Sequence, residues 1–311
     1  MTDYLRHKLD FADPELVAAY DEVFLWSARF GELLFRHLPL RRNLRVLDLA
    51  CGTGFPLFEL AHMLGRSCEL VGVDVWKEAL ERAGLKRKVY GLPNVQLVEA
   101  DGAALPFPDA SFDLVVSNLG VNNFADPQAA LAECFRVLKA GGTLALTTNL
   151  QGHMREFYNV FREVLTELRD TDALERLQAQ EAHRGTSASV CQLLEGAGFT
   201  IAKTVEDRFQ MRYLDGSAFF NHWLTKLGFL EGWRGVLAPE DEAAVFGLLE
   251  ARLNALAAGR APALRGSTGD PAGAGGERPG TLRQKGTAEA GATGELRMTI
   301  PMLYLEGQKP G

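Results

Sequence analysis

Arg45-Val46-Leu47-Asp48-Leu49-Ala50-Cys51-Gly52-Thr53-Gly54-Phe55-Pro56-Leu57 is a short aliphatic run that breaks into a glycine-rich turn and resumes as an apolar stretch. That order reads as a buried strand delivering into a tight turn and then a helix. Gly52 and Gly54 can adopt left-handed backbone angles and carry no Cβ, so a ligand can come close to the main chain. Asp74 closes the next aliphatic run, Glu69 to Asp74, 20 residues after Gly54. In an open α/β sheet a carboxylate there accepts hydrogen bonds from ribose hydroxyls. A dinucleotide fingerprint would need a third glycine where Leu57 stands, and Phe55 and Pro56 crowd the helix start where a pyrophosphate would sit. The turn therefore suits a nucleoside without phosphates, and a nicotinamide-dependent oxidoreductase becomes the disfavoured alternative.

Working outward, further strands are expected at Val95 to Glu99, Phe112 to Ser117 and Gly142 to Thr148, with helices over Trp76 to Tyr90 and Pro127 to Leu138. The strands are apolar at consecutive positions, as expected when helices cover both faces of a parallel sheet. The fold class is α/β, a doubly wound seven-stranded Rossmann-like sheet with helical cap segments. The expected organisation is an N-terminal helical cap over 1–44, a ligand-binding core over 45–150, and a helical cap with the sixth strand over 151–258. A flexible glycine-rich loop over 259–294 and a final core strand over 295–311 complete the chain. In the cap, Met154, Phe157, Tyr158, Phe161, Val164, Leu165 and Leu168 recur at helical spacing and make one continuous apolar face. Leu193 to Phe199 reads as a helix end with a glycine stop, followed by an extended segment over Thr200 to Tyr213 and a helix over Pro239 to Ala258. Residues 259–294 hold 10 glycines, three prolines and no aromatic residue, too little apolar surface to offset their ordering entropy.

The 311 residues carry 33 Lys plus Arg against 40 Asp plus Glu, a net charge of −7, so no basic field attracts nucleic acid or an anionic membrane. The four cysteines, at 51, 68, 134 and 191, form no CxxC pair, which argues against a metal site and a disulfide framework and fits a reducing cytoplasm. No apolar run reaches the length of a membrane span, and the N-terminus lacks a secretory core.

Four motifs in order, LDLACGTG, VGVD, EADGAALPFPDASFDLVVS and RVLKAGGTLAL, resemble the class I S-adenosylmethionine-dependent methyltransferases, in the branch related to the quinone-biosynthesis C-methyltransferases. The resemblance implies a cofactor, S-adenosylmethionine, and a set of residues around it. Ala50, Cys51, Gly52 and Gly54 would line its methionine part, with Asp48 ordering the loop and facing the cationic end. Asp74 would hold the ribose, Asp101 with Gly102 the adenine amino group, and Asn118 would lie close to the sulfonium. A turn-forming role for Asp101, as an Asp before Gly, is the simpler alternative.

An activated sulfonium methyl needs mainly positioning, so no dedicated catalytic residue is required. Where the acceptor must lose a proton, His153 after the fifth strand and His222 in the Phe219 to Trp223 cluster are candidate bases, each more readily read as a structural or surface histidine. Seven of the 28 aromatic residues precede Asn43 and 11 lie between Leu150 and Gly235. Such a cap favours a small aromatic or lipophilic acceptor, for C- or O-methylation. Tyr20, Trp26, Tyr158 and Trp223 are its most informative members. Asn122 and Asn123 either orient a polar group or make loop turns. A non-catalytic member that binds the cofactor and acts through a partner is a further alternative.

Overall fold

The computed structural model describes residues 3–20, 24–259 and 294–311; most of the expected glycine-rich loop lies outside the described residues. Seven strands form one sheet: β1 (Arg45–Leu49), β2 (Glu69–Asp74), β3 (Val95–Glu99), β4 (Phe112–Asn118), β5 (Leu138–Asn149), β6 (Thr200–Tyr213) and β7 (Leu296–Gln308). Their spatial order is β3-β2-β1-β4-β5-β7-β6. β3 to β5 are joined by parallel pairings through β2, β1 and β4, and β7 runs antiparallel to both β5 and β6. The order reverses at β1, so the crevice beyond the carboxyl ends of β1 and β4 is the switch point where such sheets bind ligands.

Helices α1 (Pro14–Tyr20) and α2 (Phe24–His37) precede the sheet. α3 (Leu57–Leu64), α4 (Lys77–Tyr90) and α5 (Pro127–Val137) connect the parallel strands. Between β5 and β6 come α6 (Arg155–Leu168), α7 (Thr171–Ala182) and α8 (Ser187–Gly196). Between β6 and β7 lie α9 (Gly216–Asn221), α10 (Trp223–Gly228), α11 (Leu230–Arg234) and α12 (Glu242–Ala257). Local chemistry sets several of these boundaries. Asp126 accepts from the Ala129 amide at 2.9 Å with Pro127 in the first turn of α5, and Gly91 ends α4 in the left-handed region. Thr186 and Ser189 cap α8 reciprocally.

Alternate strand residues feed two apolar layers. Val46, Leu70, Leu114 and Val116 pack with α2, α3 and α6, whereas Leu47, Leu49, Val71 and Val115 pack with α5 and α8. This is why consecutive apolar residues occur in β1, β2 and β4. β5 starts earlier than its glycines suggest, because Leu138 pairs with Phe112 before the register shifts to Leu114 opposite Thr143. Residues between them form the irregularity, and Gly141 takes φ +73° there.

The cap has its own aromatic centre. Trp233 is fully buried, with ring centroids of Phe157, Phe219 and Phe229 at 4.2, 5.6 and 5.7 Å. Its indole Nε1 donates to the Tyr158 hydroxyl at 3.1 Å. The Glu156 carboxylate accepts from the Thr299 amide at 2.9 Å and from its hydroxyl at 2.6 Å, fastening α6 to β7. Replacing Tyr158 by Phe strands the buried indole N–H, so Tyr158→Phe is expected to lower unfolding free energy by about 1–3 kcal/mol. Denaturant melts of Tyr158→Phe and of the double variant Tyr158→Phe/Trp233→Phe check this: the double variant should lose less than the two single changes combined.

Candidate functional site

The loop after β1 is held by backbone bonds on both sides. The Cys51 amide donates to the Val73 carbonyl at 3.0 Å, and the Gly54 amide to the Cys51 carbonyl at 2.8 Å. Ala50, Gly52 and Gly54 all take positive φ, at 63°, 52° and 104°. The two glycines differ in purpose. A Cβ on Gly52 would meet nothing within 4 Å, so that position keeps space clear beside the loop. A Cβ on Gly54 would lie 2.0 Å from the Phe58 ring, so its bareness serves internal packing, where the sequence suggested ligand approach for both. Phe55 turns toward the cap and rests against Gly31 of α2, where an added Cβ would lie 2.3 Å from its ring.

Asp74 stands at the end of β2, half-buried, and binds the loop directly: its carboxylate accepts from the Gly52 amide at 2.7 Å and from the Trp76 amide at 2.9 Å. Asp48 lies in the adjacent strand β1, opposite Gly72 of β2. It is completely buried, on the α3 side of the sheet with Val46, and neither carboxylate oxygen completes a hydrogen bond. Burial, and secondarily the nearby Asp74 charge, raise its pKa well above the ordinary aspartate range and make it a weak acid, opposed only in part by the Leu57 amide, which lies near the carboxylate without completing a hydrogen bond. Cys51 is also buried, and its thiol is pushed up by burial and then by Asp48 and Asp74.

The remaining predicted residues lie along the same carboxyl edge. Asp101 follows β3 and caps its own turn, accepting from the Ala103 amide at 2.9 Å, so the turn-forming alternative describes its present hydrogen bonds. Gly102 is buried against Leu49. Asn118, at the end of β4, accepts from the Thr147 hydroxyl at 2.7 Å and donates to the Ser27 carbonyl of α2 at 3.2 Å. Its amide thus ties the core to the N-terminal cap.

From Asn118 a continuous wall leads into the cap. Trp26, next to Ser27, packs on Phe229 at 5.4 Å between ring centroids. Phe229 in turn faces the His153 ring at 5.3 Å, and His153 faces Tyr158 at 5.6 Å. His153 is 2% exposed and both ring nitrogens lack a partner. Burial, and then the Arg184 charge, hold its basicity well below the usual histidine range. It is therefore a neutral imidazole at physiological pH. Three loops are sewn together here: Asn122 donates to the Asn149 side chain at 2.8 Å, the Gln151 amide donates to the Gly185 carbonyl at 2.9 Å, and His183 Nε2 lies 3.1 Å from the Asn122 carbonyl. Asn123 donates to the Leu119 carbonyl at 3.1 Å, a loop-turn contact.

Other predicted residues sit apart from this wall. His222 is exposed and caps α10, its Nδ1 accepting from the Leu224 amide at 3.2 Å. Trp223 packs edge-on against His7 at 5.2 Å. Tyr20 stacks edge-on against Trp76 at 5.0 Å, two residues beyond Asp74, so the N-terminal segment covers the β2 side of the crevice. The sequence reading passed over Arg184, whose polar segment before α8 gave no periodic or motif signal.

The segment 47–146 matches the family model described as "Methyltransferase domain". The demethylmenaquinone methyltransferase of Geobacillus kaustophilus (strain HTA426) is 35% identical over 160 residues, which cover 49% of this chain and 68% of that protein. This chain belongs to the S-adenosylmethionine-dependent methyltransferases. A second relative is the ubiquinone/menaquinone biosynthesis C-methyltransferase of Shewanella sp. (strain ANA-3), 33% identical over 171 residues that cover 51% of this chain and 67% of the relative. The demethylmenaquinone methyltransferase of Thermus thermophilus is 42% identical over 124 residues, 39% of this chain and 52% of the relative. A candidate methyltransferase structure from Bacillus halodurans C-125 superposes with a TM-score of 0.53 at 19% identity, covering 90% of this methyltransferase and 99% of that chain, which shows the shared fold. Among the described residues no helix is long and apolar enough to cross a membrane.

Two variants separate the roles within the loop. Gly52→Ala is expected to cost about 1–2 kcal/mol, the penalty of left-handed backbone alone. Gly54→Ala must cost more, because a ring clash adds to the strain; chemical denaturation of both checks the order. For Asp48 the folded state holds its proton more tightly than the unfolded chain, so stability drains as pH rises from the ordinary aspartate value through the raised one. Asp48→Asn should therefore melt later than the parent at neutral pH, by about 0.5–2 kcal/mol. The difference should vanish near pH ~4, the ordinary aspartate value, as thermal scans across pH will show.

Proposed function

We propose that this methyltransferase binds S-adenosylmethionine in the crevice at β1, β2 and β4 and methylates a planar, lipophilic small molecule of the phenol or hydroquinone kind, at carbon or oxygen. The observation that carries the acceptor class is the aromatic wall of Trp26, Phe229 and Tyr158, which begins beside Asn118 and ends at a buried neutral imidazole. The names of the relatives, a demethylmenaquinone methyltransferase and a ubiquinone/menaquinone biosynthesis C-methyltransferase, favour the same acceptor class.

The residues present fit the cofactor. A cationic ligand end would offset the buried carboxylate of Asp48, which completes no hydrogen bond, and the open space beside Gly52 would admit a ligand against the backbone. Ala50, Cys51, Gly52 and Gly54 would line the methionine end. Asp74 would hold the ribose with the acceptor capacity left after its two backbone bonds, and Asp101 with Gly102 would border the adenine. Bound there, the cofactor supplies a sulfonium methyl already activated for displacement. The chain's own task is to orient the acceptor and exclude water. Trp26 and Phe229 would present apolar faces to a planar ring, while the Asn118 bond to the Ser27 carbonyl would hold α2 beside the bound cofactor. His153 is a weak base in this setting, so its contribution is a neutral hydrogen bond to the acceptor and not removal of a proton from a poorly acidic group.

Calorimetric titration of the full chain with S-adenosylmethionine, followed by transfer of a labelled methyl group to a panel of naphthohydroquinones, phenols and aliphatic alcohols, tests the reading. Binding is expected, with transfer confined to the aromatic acceptors. Asp74→Ala should weaken cofactor binding by about 1.5–3 kcal/mol. Tight binding of NADH without S-adenosylmethionine binding would overturn the assignment, and retention of the cofactor without transfer to any acceptor would favour a ligand-binding role.

A further inference from the structure

Arg184 occupies the turn between α7 and α8, and its surroundings are unusual for a guanidinium. The residue is half-buried: its Nε and Nη1 are sealed off without hydrogen-bond partners, Nη2 is not among the sealed atoms, and among the described residues it makes no ion pair. Among those residues its aromatic support is Phe229, whose ring centre lies 5.7 Å from the guanidinium carbon. Burial depresses its basicity below the usual arginine range. Charges withdrawn from water are normally paired, because the desolvation cost of a lone ion is several kcal/mol. Here the fold holds the cation in place regardless. The neighbouring Gly185 carbonyl accepts from Gln151, His183 contacts the Asn122 carbonyl, and Thr186 begins a reciprocally capped helix.

The groups around Arg184 share its deficit. Phe229 also faces His153, whose two nitrogens are unpartnered, and His153 faces Tyr158. The Tyr158 oxygen accepts from Trp233, which leaves its own O–H to donate. Glu181, the carboxylate whose charge acts on Tyr158, is itself paired with Arg162. A guanidinium and an imidazole thus share the Phe229 ring, with a phenol O–H beside the imidazole, and among the described residues no carboxylate is bonded to any of the three.

Building on the acceptor class proposed above, we propose that Arg184, with His153 and Tyr158, forms a subsite for an ionised oxygen on a planar acceptor, so that the acceptor binds as a phenolate or enolate. An ionised oxygen satisfies the guanidinium with charge-assisted bonds, and the attached ring lies along Phe229 and Trp26. Arg184 is then a specificity-determining residue: it selects acceptors by acidity, whereas the aromatic wall selects by shape.

Two naphthoquinones of like size make the test. The 2-hydroxy compound is an enolate at neutral pH, and its 2-methoxy ether carries no charge. With the full chain saturated by S-adenosylhomocysteine, the enolate is expected to bind at least about tenfold more tightly than the ether. Arg184→Met should reduce that ratio to near unity while the affinity for S-adenosylhomocysteine stays unchanged. Arg184→Lys, which keeps a charge on a flexible stem, should retain part of it and serves if the methionine variant does not fold. Equal binding of the two probes by the parent chain, or an undiminished preference in Arg184→Met, overturns the subsite. Enolate preference in a chain that fails to bind S-adenosylhomocysteine supports the subsite and faults the cofactor assignment instead.

Discussion

A carboxylate enclosed without a partner is the constraint around which the core is arranged. Asp48 sits next to the carboxyl end of β1, between β2 and β4, where helices exclude water and no donor completes a hydrogen bond to its oxygens. Evolution could fill such a position with an aliphatic side chain at lower cost, as Val46 does on the same side of the strand. Its acidic side chain makes sense when a positive group comes to rest above it. The loop overhead repeats the theme in its backbone, with three residues held at positive φ and Asp74 gripping the Gly52 amide. Of the three only Ala50 carries a Cβ, so the backbone strain is confined to one residue.

The cap shows the opposite sign of the same arrangement. Around Phe229 it is a cation and a neutral imidazole that lack partners, so the proposed subsite would be basic where the pocket beneath the loop is acidic. Between them stands the Trp26 and Phe229 wall, which offers neither. In the proposed reading such a division would keep a positively charged methyl donor and a negatively charged acceptor in adjoining compartments, each met by groups of the protein.

The sheet, its order of elements and the carboxyl edge that carries the candidate residues were legible because they rest on periodicity and on turn chemistry. Consecutive aliphatics in β1, β2 and β4 reflect two covered faces, and the helical spacing from Phe157 to Leu165 is the buried stripe of α6. What sequence did not separate were positions whose role depends on neighbours distant along the chain. Gly52 and Gly54 look alike in the motif, yet only the Phe58 ring distinguishes them. His153 and His222 are both histidines near aromatic residues, but one is sealed in a wall and the other caps a helix. Arg184 is one of 33 basic residues, and nothing local marks it as the one drawn inward.

The placement of β7 carries a consequence for how the protein is made. It lies between β5 and β6, pairing with β5 from Thr143 to Asn149 and with β6 along nearly its whole length, although it is the last strand in sequence. During synthesis, therefore, both partners emerge from the ribosome with open ladders and wait for more than 80 further residues beyond β6 before the wedge that joins them exists. Edges left open that long invite pairing with other chains. The alternating exposed and half-buried residues of β6, with Lys203, Glu206, Asp207 and Arg208 among them, give that nascent edge charges that discourage such encounters until its proper neighbour slides in.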